Sequence, residues 1–462
     1  MKSDIIKILK SWKERNSKFN STESLIGWIE EMNKKTDVQI QRIDFTKAND
    51  WYFNQKSGYI ENEGNRFFSV RGIKYYENGQ LIQEQPIIYQ PEIGYLGIIC
   101  KEFDGVMHFL MQAKVEPGNV NCVQISPTIQ ATKSNFEQAH GGRVPYYFSY
   151  FKDAQKYEII FDQIQSEQGM RFYRKRNRNI MIRVDEEIEV LPAFRWMTLG
   201  QIKELMKLDN LVNMDTRTVL SCIPFSTYSF TEAEKEEIKS YIKDEALFAS
   251  IFEADIQDGL NGVFNYQNNI KMFRNISSKL VPLDSLESWE VRTDGVFCRK
   301  DANFDVGYYD IAISGREVKN WRQPLVCARG MGTFGMLVCH HDGMLKFLVA
   351  ARAEIGAFDK VEIGPSVFLE PVSSEQPDSI ERLFAEKMEK KEGILKDSIF
   401  SEEGGRFYHE QNRNVIMMVD YIEPNHLPEG YFWLSFSSLN SLIQVNNCLN
   451  IQLRNLLSII DV

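Results

Sequence analysis

The stretch His108 to Glu116, HFLMQAKVE, alternates in a way that sorts its side chains by chemistry. On an extended chain His108, Leu110, Gln112, Lys114 and Glu116 share one face, and Phe109, Met111, Ala113 and Val115 take the other. An imidazole, an amine and a carboxylate on one strand face are groups that acid–base chemistry uses. A second stretch, KFLVAARAE, puts Lys346, Leu348, Ala350, Arg352 and Glu354 on the corresponding face. The cation two residues before a carboxylate is thus kept, whereas His108 and Gln112 are not kept together. A Lys or Arg paired with Glu beside a turn is equally a structural ion pair, and these residues alone leave both readings open.

A second chemistry-bearing block, R-F-Y-x-x-x-N-R-N, also occurs twice. It supplies Arg171, Tyr173, Asn177, Arg178 and Asn179, then Arg406, Tyr408, Asn412, Arg413 and Asn414. Arg offers a planar fork for phosphate, and Asn reads sugar hydroxyls or base edges. A turn held by Asn side chains with Arg on its rim accounts for the same residues.

These recurrences are parts of one duplication. Gly97 to Gly118 and Gly335 to Gly356 agree at eight of 22 positions at a constant offset of 238, and Ser166 to Asp185 matches Ser401 to Asp420 at 11 of 20. Blocks repeating in the same order mean a doubled unit. Each copy has an Asp-Gly turn (Asp104-Gly105, Asp342-Gly343) between alternating apolar runs, which predicts an antiparallel hairpin. Each then reaches a Trp (Trp196, Trp433) and a helical pattern, TLGQIKELMKL or SLNSLIQVNN, with Thr198 and Ser438 as expected N-caps. The fold class is therefore α+β. SFTEAEKEEIKSYIKDEALFASIF predicts one amphipathic helix linking the copies, opened by a capping box. The expected division is residues 1–230 and 231–462, the first 34 residues forming a peripheral helical extension.

Composition narrows the classes. With 462 residues, 43% hydrophobic and 26% charged, the chain reads as globular and long enough for two units. A net charge of -10 argues against a nucleic-acid partner. The seven cysteines (Cys100, Cys122, Cys222, Cys298, Cys327, Cys339, Cys448) never form C-x-x-C, so no zinc site or disulfide framework is signalled and a reducing cytoplasm is expected. No apolar stretch approaches a membrane span. Gly330, Gly332 and Gly335 satisfy G-x-G-x-x-G, but an alternating strand follows where a dinucleotide site needs a helix. Gly94 and Gly97 hold matching places in the first copy, so these glycines read as repeat architecture. The adjacent His340 and His341 point to opposite strand faces, and no G-x-S-x-G occurs.

QAKVEPGNVNCVQISPTIQATKSNF (Gln112 to Phe136), the HGG at His140 to Gly142, FFSVRGIK (Phe67 to Lys74) and GREVKNWRQPL (Gly315 to Leu325) resemble the signature regions of NDP-hexose 2,3-dehydratases. The resemblance spans nearly the whole chain. Phe136 departs from it, since a Tyr is expected after Ser134-Asn135. It implies two tandem Nudix-like domains in one subunit, a homodimer, and a nucleotide-linked 4-keto-6-deoxyglucose as substrate, most often thymidine diphosphate-linked. It also implies no metal or redox cofactor, and a downstream ketoreductase that intercepts the product. A metal-dependent nucleotide pyrophosphohydrolase would need a run of glutamates, R-E-x-x-E-E, which follows neither Glu116 nor Glu354. A catalytically silent nucleotide-sugar binding protein is the other alternative.

For the dehydratase chemistry, geometry and residue type alone make Glu116 the expected base, Lys114 the group that helps stabilise the enolate, and His108 or His140 the group handling the leaving hydroxyl. Gln112, Thr132, Lys133, Ser134 and Asn135 suit sugar or diphosphate contacts, with Arg171 and Tyr173 beside them. Trp51, Arg71, Trp321 and Arg322 would supply stacking and phosphate charge. Arg352, Glu354, Arg406, Tyr408 and Asn412 are their expected counterparts in the second copy. Elimination is expected in the first copy, because its Gln112, Pro117, Ser126 and Gln130 correspond to Ala350, Ile355, Gly364 and Phe368.

Overall fold

The structure is a computed structural model. It describes residues 1–461 except 48–49, 65–66, 137–143, 315–318 and 373–375, and the side chains of Ser134 and Asn135 lie outside the description. At each Asp-Gly the chain reverses with both residues at positive φ, Asp104 at 53° and Gly105 at 76°, Asp342 at 51° and Gly343 at 73°. That combination is what a two-residue hairpin needs. The first hairpin, Gly94–Phe103 with Val106–Val115, sits inside a seven-stranded sheet; its second-half counterpart, Gly332–His341 with Met344–Ala353, sits inside another. In both sheets the strand carrying N-R-N runs parallel to the first hairpin strand, Arg176–Arg183 beside Gly94–Phe103 and Gln411–Met418 beside Gly332–His341.

Two smaller sheets tie the halves together by exchanging a strand. Val38–Ile43 pairs antiparallel with Phe304–Ile313 of the second half, and Ile276–Val281 pairs with Ser69–Glu77 of the first. The two exchanged strands stand at the repeat offset, and neither half closes its small sheet alone. One continuous core then runs between the halves, packing Phe109 and Met111 with Phe347, Leu439 and Leu453. The helices Met214–Ser221 and Ile451–Ser458, capped by Asn213 and Asn450, cross within it.

Several helical expectations are corrected. The N-terminal segment forms Lys2–Lys13 and Thr22–Lys35, but it is not peripheral: Ile5, Ile8, Leu9 and Trp12 are buried in the shared core. At roughly 1.5–3 kcal/mol per large apolar side chain, that helix contributes substantially to stability. Thr198 caps Leu199–Leu205 as predicted, with Gln201 closing the box. In the second half the cap is Ser435, whose Oγ accepts from the Ser438 N–H at 3.1 Å, because the strand Tyr431–Ser435 runs directly into its helix. The linker is two helices. Thr231 and Glu234 form the predicted capping box of Glu232–Lys239, but Asp244 caps a separate helix, Glu245–Phe252, by accepting from Leu247 N–H at 3.0 Å. The rejected glycine motif does lead into a strand. A Cβ on Gly332 would stand 2.7 Å from the Asn412 Oδ1, so that glycine admits the Asn of the repeated block.

Candidate functional site

The end of the Val106–Val115 strand opens into a cleft of about 1090 Å³. Gln112, Lys114, Glu116 and Pro117 form one wall, as the alternation predicts. Lys114 Nζ lies 2.8 Å from Glu116 Oε1 and donates to the Gln130 carbonyl at 3.0 Å. The Gln130 side chain is itself held, its Oε1 accepting from Ser126 at 2.9 Å and from Asn213 at 3.0 Å. The polar residues that distinguish the first copy thus brace the wall carrying the ion pair.

The opposite side comes from the second half. Glu403, Gly405 and Arg406 line the cleft together with Trp321, Arg322 and Gln323. They are brought there because the turn after Glu116 docks on the loop after Ser401: Gly118 N–H donates to the Gly404 carbonyl at 2.7 Å, and His409 N–H returns a bond to the Gly118 carbonyl at 2.9 Å. Gln323 Nε2 donates to the Gly405 carbonyl at 2.7 Å. Arg406 Nε reaches Gln90 Oε1 at 3.2 Å, and its guanidinium covers the Phe68 ring at 4.2 Å.

Burial shapes the charges deeper in the cleft. Glu167 is pushed up to about 7, first by burial and then by the charge of Glu403, with Asn177 Nδ2 donating to it at 2.6 Å. Burial, Glu167 and Glu403 together raise Asp215 well above its ordinary value. Burial lowers Lys175, whose Nζ donates to the Glu92 carbonyl at 2.6 Å. Burial raises Glu403, against the nearby Arg406. The cleft therefore combines an ion-paired carboxylate with carboxyl groups raised above their ordinary values, the kind of separation that can divide acid and base roles. Among the described residues no group of three or more His, Cys, Asp or Glu side chains is arranged to hold a metal ion.

The expected residues divide among three places. Trp51, Gln112, Lys114, Glu116, Thr132, Trp321, Arg322 and Arg406 line the cleft. Trp51 is also packed on Phe68 at 4.8 Å, and Trp321 donates to Gln323 Oε1 at 3.0 Å. Arg171, Arg352, Glu354 and Asn412 instead belong to the corresponding place in the second half. There Arg171 pairs with Glu370 at 3.5 Å, Arg352 donates to the Ser366 carbonyl at 2.9 Å, and Glu354 accepts from Asn450 at 3.0 Å. Asn412 accepts from the Gly332 N–H at 3.0 Å. Tyr173 stacks on Tyr89 and Tyr408 on His409.

The remaining expected residues stand elsewhere. The imidazole of His108, expected to handle the leaving hydroxyl, does not line the cleft; it packs against Phe19 and Phe103 with Nδ1 at 3.0 Å from the Val106 carbonyl, and burial lowers its pKa. Arg71 is held by Ser69 and lies 3.6 Å over Tyr89. Lys133 is exposed on a short helix with Ser134 and Asn135, and Phe136 stacks on Phe148. His140 lies outside the described residues.

Glu167, Lys175, Asp215 and Glu403 were not singled out by the sequence reading. A signal was present: within the repeat these positions correspond to Glu402, Glu410, Gln452 and Gln168, so three of the four change character where the surrounding block is kept.

The family model for NDP-hexose 2,3-dehydratase matches residues 22–223 and 261–460. A dTDP-4-dehydro-6-deoxy-alpha-D-glucopyranose 2,3-dehydratase of Saccharopolyspora spinosa is 37% identical over 443 residues, 93% of this chain and 89% of the relative. Proteins of the same name from Amycolatopsis orientalis and Streptomyces violaceoruber are 34% identical over 451 residues and 33% identical over 453 residues. These cover 95% and 96% of this chain, and 90% and 97% of the respective relatives. With both repeats matched and the likeness running nearly end to end, the chain belongs to the NDP-hexose 2,3-dehydratase family.

Proposed function

We propose that the chain removes water across C2 and C3 of dTDP-4-keto-6-deoxyglucose, giving the 3,4-diketo-2,6-dideoxy sugar. The observation that carries this reading is the Lys114–Glu116 pair set in a cleft that also presents cations and two tryptophans. The C4 ketone acidifies the C3 hydrogen; Glu116 takes it, and Lys114 stabilises the enolate oxygen. Trp321 offers aromatic surface for the thymine, with Trp51 buried behind the cleft wall, and Arg322 and Arg406 offer charge for the diphosphate.

The same reading takes the repeats as Nudix-like units divided near residue 230, and the assembly as a homodimer acting in the cytoplasm, with a ketoreductase consuming the diketone. The free thiols of all seven cysteines agree with a reducing compartment. No helix among the described residues is long and apolar enough to cross a membrane.

The test is proton NMR and mass spectrometry of dTDP-4-keto-6-deoxyglucose incubated with the protein in deuterated water. Loss of one water with deuterium entering C2 is expected. Binding of an unaltered sugar would favour the non-catalytic alternative, and magnesium-dependent release of nucleoside monophosphate the hydrolase.

A further inference from the structure

One glycine separates two carboxyl groups in the cleft. A Cβ built on Gly405 would stand 2.4 Å from Glu403 Oε1 and 3.4 Å from Glu116 Oε2, so these groups face each other across bare backbone. Gly404 permits the approach, since a Cβ there would lie 2.9 Å from the Cβ of Glu116. One carboxyl comes from each half of the chain. At the corresponding place in the other half, Met170 stands for Gly405 and Gln168 for Glu403, and Gln168 donates its amide to Glu402. An amide cannot supply an acid proton, and a methionine occupies the space that the glycine leaves open.

We infer that Glu403 is the acid that protonates the departing C2 hydroxyl, so that the second half completes the reaction centre of the first. This rests on the reading of Glu116 as base toward a 4-keto sugar. Lys114 Nζ at 2.8 Å is the ion-pair partner of Glu116. Glu403 is half-buried and oriented by the Gly405 N–H, which donates to its Oε1 at 2.9 Å. The other charged groups facing it are Arg406 on its own loop and Lys114 across the cleft, with Glu167, Lys175 and Asp215 lining the same cavity. Desolvation first, and to a lesser extent the neighbouring Glu116 charge, raise the Glu403 carboxyl above its ordinary value, against the opposing pull of Arg406, the Gly405 N–H and Lys114.

The step balances without a co-reactant. Glu116 takes the C3 hydrogen as a proton, and the electron pair enters the C4 ketone as an enolate. The enolate collapses, the C2–C3 double bond forms, the C2–O bond breaks, and the oxygen leaves as water with the proton of Glu403. Glu116 is then protonated and Glu403 ionised. Ketonisation of the enol, in which C2 gains a proton and the C3 hydroxyl loses one, returns both groups to their starting forms.

The experiment compares two substrates, the natural keto sugar and its 2-deoxy-2-fluoro analogue, whose fluoride leaves without needing a proton. In Glu403→Gln, water loss should fall by ~10²–10⁴-fold. Exchange of the C3 hydrogen with deuterated water and loss of fluoride should both stay near the wild-type rate. Water loss near the wild-type rate, or fluoride loss reduced as much as water loss, overturns the proposal. Should the variant fail to fold, judged by dTDP binding, the wild-type pH profiles decide. Water loss should decline on the alkaline side where fluoride loss does not, and parallel profiles overturn the proposal. Failure of the underlying reading is separate, because then even the wild type leaves the C3 hydrogen unexchanged and both sugars intact.

Discussion

The two halves build the same joint and finish it differently. In each, a turn after the repeated Glu docks on the loop of the other half: Gly118 N–H on the Gly404 carbonyl at 2.7 Å, and Gly356 N–H on the Gly169 carbonyl at 2.8 Å. Gln323 and Gln85 each donate to the next loop carbonyl, Gly405 at 2.7 Å and Met170 at 2.6 Å. Around the first joint the residues are Lys114, Glu116, Glu403 and Gly405, and the space is an open cleft. Around the second, Ile355 is buried against Ile73, Ile87 and Met170, Arg171 pairs with Glu370 and Glu410, and Arg352 donates to the Ser366 carbonyl while Glu354 accepts from Asn450. Backbone pairing thus preserves the geometry of a duplication, while a few side chains decide which copy has room for a ligand.

The sharpest way to break the comparison is to remove the cation from each copy in turn. Lys114→Met should lower turnover by ~10²–10³-fold, the cost of deleting a preorganised group at a developing oxyanion, whereas Arg352→Met should leave it near wild type; steady-state kinetics on both variants check this. Next in size, Gly405→Met places in the open cleft the side chain that the other half carries. Filling the space at the reaction centre should raise the barrier by about 1.4 kcal/mol, roughly tenfold in turnover, while Met170→Gly should leave it unchanged.

Arg171 sharpens the contrast from the structural side. Burial opposes its charge, yet Glu370 and Glu410 hold it ionised. Arg171→Met should lower native stability by about 3 kcal/mol, measured by denaturant unfolding, with specific activity of the folded protein preserved. A further contrast, read only in the pH dependence of stability, concerns Glu362, buried beside Glu354 and accepting from Ser166 Oγ at 2.6 Å. Burial first, then Glu354, raises its carboxyl from 4.5 to about 8. Folding therefore takes up a proton between those values, and the contribution is lost as pH rises through that window. In Glu362→Gln, unfolding free energy should decline less between pH 5 and pH 8 than in wild type, roughly in proportion to the proton uptake removed.

How far the sequence reached depends on the range of the interaction. Alternation within a strand is local, so the shared face of Gln112, Lys114 and Glu116 was legible from spacing, as were the Asp-Gly hairpins and the Thr198 cap. The same alternation placed His108 with them, although it stands about eight residues back, roughly 26 Å along an extended strand. Periodicity reports the face of a strand and not which end meets a cavity. The exchange of Val38–Ile43 and Ile276–Val281 was not legible, because the alternation of a strand cannot say which copy of a hairpin it joins. Glu403 was missed for that reason. It lies far from Glu116 in sequence, and only the docking of one half on the other brings them together. Ser438 was preferred to Ser435 as a cap because the strand continues to the helix without a loop.

The central claim is that chemistry occurs at the first joint alone, and it is tested most directly by Glu116→Gln beside Glu354→Gln in deuterated water, with C3 exchange and water loss followed by NMR. Glu116→Gln should lose both while retaining dTDP binding, and Glu354→Gln should retain both. Turnover surviving in Glu116→Gln, or vanishing in a folded Glu354→Gln, would contradict the account.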